Sequence, residues 1–227
     1  MDLDDPTRAV TPSLDGPVLA ALAQATRPLT VGEIAGRAAR GSEIGIRRCV
    51  ARLVAQGMVD AVLMGRNVVH TLNREHVAAP VADLLAGLRA ELARRLRDAL
   101  ANWRPPPLQA VLLPSTPGAH DEVVLLLVHP PLPDETPRRA AGTPGSGVGD
   151  LALAEERDLA PQIERAAMTV EQERAWREQV VALAPRVRRW TGSGLRVVEM
   201  SSEEVAERRR RRSRLLDAVE RGGEVLV

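Results

Sequence analysis

The sequence predicts an α+β chain built in two parts around a long helix, and three observations carry that expectation. Residues 16–73 set three short helical patterns ahead of two β-prone runs. Arg74–Trp103 reads as one unbroken helical stretch rich in Arg, Glu, Leu and Ala. It is closed by Pro105-Pro106-Pro107, because proline lacks an amide proton and clashes with the preceding turn. Beyond it come two short apolar runs, Leu108–Leu113 and Val123–Val128, which read as buried strands. A helix over Glu171–Trp190, a strand over Leu195–Met200 and a final helix over Ser202–Arg221 follow. Residues 1–15, polar with two prolines, read as a flexible leader. The stretch Pro130–Asp150, rich in Pro, Gly, Thr and Ser, reads as a mobile loop. No internal repeat is visible.

Composition narrows the function classes. The 227 residues suffice for one large domain or two small ones, and the apolar fraction of 44% is ordinary. There is no Phe or Tyr, only Trp103, Trp176 and Trp190. The cores must therefore be aliphatic, each Leu or Val adding about 1.5–3 kcal/mol on burial. Few rings remain to stack bases, which argues against a single-strand or RNA platform. Every basic side chain is Arg, so no Lys is present for a Schiff base or a phosphate loop, whereas Arg suits phosphate and guanine. The net charge is only +1, so any affinity for nucleic acid must come from a local patch. Cys49 is the sole cysteine, which excludes a disulfide framework within the chain and a Cys-rich zinc site. The opening MDLDDPT lacks the apolar core of a signal peptide, and no run approaches the roughly 18 apolar residues of a membrane span. A soluble, cytoplasmic protein without a membrane partner is expected.

In the first part, Val18-Leu19, Leu22 and Ala25 form an apolar stripe at helical spacing that stops at Arg27-Pro28. Thr30-Val31-Gly32-Glu33 is a capping-box pattern opening a second helix. A turn through Arg40-Gly41 leads to Ser42, the N-cap of a third helix that runs to about Gln56 and ends at Gly57. Ile46, Val50, Leu53 and Val54 mark its inner face; Arg47, Arg48, Ala51 and Arg52 fall largely on the outer one. Met58–Met64 and Val68–Leu72 are β-prone and joined by Gly65-Arg66-Asn67, a two-stranded wing with an arginine at its tip. Three helices and a wing make a winged helix-turn-helix. The candidate DNA-binding residues are Arg40, Ser42, Glu43, Arg47, Arg48, Arg52, Arg66 and Asn67. Arg in such a helix reads guanine or clamps phosphate, while the wing reaches the neighbouring groove. The bland reading is a solvated face of arginines. The phrase SEIGIRRCVARLVAQGMV (Ser42–Val59) carries a resemblance to the winged-helix modules of MarR- and ArsR-type bacterial regulators.

The second part resembles actinobacterial proteins in which a winged helix is followed by a linker helix and a polymerase-β-type nucleotidyltransferase domain. The matching features are Pro80 with the Leu/Arg helix ending at Trp103, then LQAVLLPS, HDEVVLLLV, VRRWTGSGLRVVEM (Val187–Met200) and the C-terminal LLDAVERGGEVLV. The resemblance implies linker helix 74–103 and a nucleotidyltransferase-like α/β domain over 104–227. An active member shows Gly-Ser followed by Arg-Gly after the first strand, and two aspartates one residue apart on the second. Those carboxylates hold divalent metals that bridge the phosphates. Here Pro114 stands at the glycine and no arginine follows Ser115. The acid pair becomes Glu122 and Val124, or Asp121 and Val123 in the shifted register. Glu199 is a candidate third acid. A lone carboxylate cannot organise two metals, so a catalytically inactive domain is expected, with no cofactor and no metal. Ser115, Gly118 and Glu122 remain as the lip of a vestigial pocket; a plain scaffold for dimerisation or partner contact is the alternative.

Smaller signals add little. His120-Asp121-Glu122 alternate sides of a strand and do not converge. Ser115 lacks the His and Asp partners of a hydrolase triad. His70 and His76 read as surface residues and Cys49 as a small buried one. Arg208–Arg212 with Arg214 follows Glu203, Glu204 and Glu207 at i,i+4 spacing, which reads as a self-neutralised helix or a second phosphate patch. On the long helix Val77, Val81, Leu84, Leu85, Leu88, Leu92, Leu96 and Leu100 exceed what two cores need, and the surplus suits a second copy. The expectation is a double-stranded-DNA-binding regulator, homodimeric, with a small-molecule or protein effector left open. Its rivals are a nucleotidyltransferase acting on a protein or small molecule, and a non-enzymatic protein-interaction module.

Overall fold

The computed structural model describes residues 1–114, 122–132, 167–210 and 222–227 of the chain. It is a mixed α+β structure; among the described residues six α-helices accompany two sheets. The first part runs α1 (Asp15–Ala23), β1 (Leu29–Thr30), α2 (Val31–Arg37), α3 (Glu43–Ala55), β2 (Val59–Met64) and β3 (Asn67–Leu72). Local chemistry fixes the helix starts. Thr30 Oγ1 accepts from the Glu33 amide at 3.3 Å while Glu33 accepts from the Thr30 amide at 2.8 Å, satisfying two orphan donors of α2. Ser42 Oγ accepts from the Gly45 amide at 3.2 Å and caps α3. Gly57 and Gly65 take φ of 75° and 62°, turning the chain out of α3 and across the hairpin tip. The sheet order is β1-β3-β2, antiparallel, with Leu29 opposite His70 and Val59 opposite Leu72.

The second part runs β4 (Gln109–Leu112), β5 (Glu122–His129), α5 (Val170–Thr191), β6 (Gly194–Ser201), α6 (Ser202–Arg210) and β7 (Glu224–Val225). Its sheet order is β6-β5-β4-β7; β5 is antiparallel to β4 and parallel to β6. The run Val123–Val128 is buried on both faces, as expected of a central strand flanked by helices. Val123, Leu125 and Leu127 face a core shared with Trp103, Trp176, Leu183 and Val187, while Val124 and Leu126 meet Val111 and Met200 on the other side.

A long helix, α4 (Ala79–Leu100), belongs to both parts. Ala82 and Leu85 close the core of the first part, with Val18, Ile34, Ile46 and Leu53. Leu92, Ala93, Leu96, Ala99 and Leu100 close the second core. The helix starts five residues later than the Arg74 start the sequence suggests, because Arg74–Ala78 form a turn ahead of Pro80 in the first helical turn. Of the predicted stripe, Leu85, Leu92, Leu96 and Leu100 are buried, whereas Val77, Val81 and Leu84 stay exposed.

The leader, expected to be flexible, makes defined contacts. Leu3 enters the second core, and Asp5 and Thr7 are buried beside a short 3-10 turn over Pro6–Ala9. Asp5 pairs with Arg40, whose guanidinium also donates to the carbonyls of Thr11, Pro12 and Ser13. One guanidinium thus satisfies four acceptors spread from Asp5 to Ser13. From residue 133 onward the expected loop 130–150 lies outside the described residues, as does the final helix beyond Arg210.

Candidate nucleic-acid interface

The outer face of α3 carries Arg47, Arg48, Ala51 and Arg52, all exposed, opposite the buried Ile46, Cys49, Val50 and Leu53. Between this face, the start of α2 and the β2–β3 hairpin runs a groove of about 400 Å³, lined among others by Thr30, Arg47, Ala51, Arg66, Asn67 and Val68. Arg47 from the helix and Arg66 and Asn67 from the hairpin, far apart in sequence, thus line one concavity. Arg47 donates to Glu43 at 2.8 Å, one turn earlier, with both side chains mostly in solvent. Arg48 and Arg66 are exposed and have no ion pair among the described residues. Ser42 and Glu43 sit at the mouth of α3, where the free amides of the first turn point outward.

Two predicted residues go elsewhere. Arg40 is not a groove residue: its side chain is 22% exposed and holds the leader through Asp5. Arg52 is drawn toward α1, donating to Asp15 and, at 3.0 Å, to Gln56. The Cys49 thiol donates to the same Asp15 at 3.0 Å, and burial pushes its pKa up. His70, expected at the surface, is buried, with Nδ1 3.4 Å from the Leu29 carbonyl oxygen, and it lines the groove. His76 is half-buried and accepts from the Ala78 amide. The sequence reading missed Thr30 and His70 as groove residues, since both are placed by the β1–β3 pairing. It also missed the apolar character of the hairpin, where Val62, Leu63, Met64 and Val68 are about half to two-thirds exposed.

In the second part Ser115 and Gly118 lie outside the described residues, as do His120 and Asp121. Glu122 pairs with Arg196 at 3.3 Å, across the parallel β5–β6 register. It alternates in phase with Val124 and Leu126. Glu199, the candidate third acid, lies on the opposite face and accepts from the Trp176 indole at 2.7 Å. Trp176 in turn stands edge-on to Trp103 and His129, with centroids at 5.2 and 5.6 Å. Glu122 and Glu199 therefore do not converge on one point. Among the described residues no three His, Cys, Asp or Glu side chains gather as metal ligands would, and no helix is long and apolar enough to cross a membrane.

No family model matches the chain and no curated protein does. Among solved structures it is similar to human N-acetylserotonin methyltransferase in complex with SAM, at 17% identity and a TM-score of 0.26. The match covers 42% of this chain and 31% of that enzyme, so the chain spans less than a third of the enzyme's length. At that level of likeness neither fold nor activity transfers.

Proposed function

We propose that the chain is a sequence-specific double-stranded-DNA-binding transcriptional regulator working in the cytoplasm. Residues 16–73 act as a winged helix-turn-helix, with α2 and α3 as the helix pair and the β2–β3 hairpin as the wing. The observation that carries this reading is the groove with Arg47 on its helical wall and Arg66 and Asn67 on its hairpin wall. A B-form major groove is about 12 Å wide and admits one helix. With α3 inserted, Ser42 and Glu43 approach base edges, Glu43 as an acceptor for cytosine N4. Arg47 and Arg48 reach guanine or phosphate, and the wing spans the backbone to the adjacent groove. The exposed Val81 and Leu84 of α4, with Val77 in the turn just ahead of it, offer a seat for a second copy, and a two-fold dimer matches two half-sites.

The second part is read as a nucleotidyltransferase-like scaffold that transfers nothing. A first acid neutralised by Arg196, a valine at the second position and Glu199 on the far face support this. A protein-binding module is the second reading, favoured by the exposed apolar hairpin residues. The experiment is binding of the full chain to fragmented genomic DNA at two salt concentrations, beside the Arg47→Ala/Arg48→Ala variant. The parent should enrich a palindromic site. The variant should bind more weakly, and its log–log salt dependence should fall by about one unit per lost phosphate contact. Parent-like binding by the variant would remove α3 from the interface. Absence of DNA binding at low salt would leave the protein-binding reading. Metal-dependent transfer of a labelled nucleotide would overturn the inactive second part.

A further inference from the structure

Among the described residues, most helical arginines are neutralised by neighbours. On α4, Arg94 meets Glu91 and Asp98, and Arg95 meets Glu91. In the first half of α5, Arg174 meets Glu178 and Arg177 meets Glu173. The last turns of α5 depart from this pattern. Arg186, Arg188 and Arg189 are all exposed, and none has an acidic partner among the described residues. The Arg186 guanidinium lies over the Trp190 ring at 5.2 Å, which holds it in place. Arg186 and Arg189, three apart, share a face, and Arg188 lies about 100° round the helix from Arg189. Between them the surface is low, made of Ala182 and Pro185, and Gly192 at φ 74° ends the helix without a side chain.

We propose that this turn of α5 is a second nucleic-acid contact, gripping the phosphate backbone of duplex DNA outside the groove of α3 and the hairpin. The identity of the polyanion rests on the DNA-binding reading above; the surface itself does not. A planar guanidinium matches a phosphate bidentately, and one already stacked on an indole loses less freedom on binding. A protein partner would call for an apolar centre with charges at its rim, and Val181 is the one large exposed aliphatic residue of this half of α5 among the described residues. Complementing the helix dipole accounts for a cation in the last turn. It does not account for three with every acid withheld, on a helix that pairs its earlier arginines.

The test uses the full chain in two variants, Arg188→Gln/Arg189→Gln, which keeps the Arg186–Trp190 stack, and a triple variant adding Arg186→Gln. Affinity for a mixed-sequence duplex is followed by fluorescence anisotropy between roughly 50 and 200 mM salt. The slope of log Kd against log salt should shrink by about 0.9 per lost contact. The double variant should thus lose about two units and the triple just under three, with the thermal midpoint unchanged. A parent-like slope in the double variant, folded as the parent is, overturns the proposal. So does retention of DNA binding with loss of an acidic protein partner. The Arg47→Ala/Arg48→Ala protein separates the two claims. Loss there alone leaves the groove reading and removes the α5 contact; loss in the α5 variants alone does the reverse; a parent that binds no duplex removes both.

Discussion

Asp5, only 4% exposed, holds Arg40 at the turn between α2 and α3, just ahead of the Ser42 cap. Breaking a buried pair costs roughly 3–5 kcal/mol, and three carbonyls still accept from Arg40. Asp5→Ala should therefore lower stability by the smaller end of that range, read as a shift in the urea midpoint; an unmoved midpoint would mean the leader is not held there. Glu33 gives a pH prediction. A hydrogen bond from Arg27, with further ones from the Thr30 amide and hydroxyl, holds its carboxyl well below the usual 4.5, at about 2. A depressed acid stabilises the fold above its unfolded value and loses that stabilisation as pH falls toward the folded one. The capping box should weaken between about pH 4.5 and 2, and Glu33→Gln should flatten the thermal midpoint's pH dependence in that window. Both caps of the first part were legible in the sequence because cap and partner are three residues apart. The partners of Arg40 and Arg52 were not: their acids lie 35 and 37 residues away, the turn signal leaves Arg40 at the surface and periodicity alone leaves Arg52 on the outer face. Arg47 and Arg48 needed only the helical repeat. Arg66 and Asn67 needed only the turn signal of Gly65.

Elements with a long apolar repeat were readable, and two-residue strands were not. β1 exists because Leu29 and Thr30 lie along β3, and β7 because Glu224 and Val225 lie along β4; neither has a pattern of its own. The start of α4 was placed too early because Val77 fits the apolar stripe while Arg74–Ala78 form a turn. Within α4, Gly87 is an unforced weakness. A Cβ added there would meet nothing within 4 Å, and its φ is ordinary. Gly87→Ala should raise stability by about 0.5–1 kcal/mol, since alanine loses less backbone freedom in a helix. A lowered urea midpoint would mean that something else needs that side of the helix.

At the scale of the molecule, α4 makes the two cores answer to each other. All three tryptophans lie at positions 103–190, within the second part. Leu85→Ala opens the first core and Leu96→Ala the second, each at about 2–5 kcal/mol. If α4 couples them, Leu85→Ala should move the tryptophan fluorescence transition and the circular-dichroism transition together. A fluorescence midpoint that stays put while ellipticity shifts would show two independently melting parts. The same shared helix bears on how such a chain could be taken apart. A cut after Trp103 would leave Leu92, Leu96, Leu100 and Trp103 as a bare greasy stalk. A cut ahead of Ala79 would strip Ala82 and Leu85 from the other half. Neither piece can be grafted onto a new companion without a substitute surface to cover the side chains it exposes.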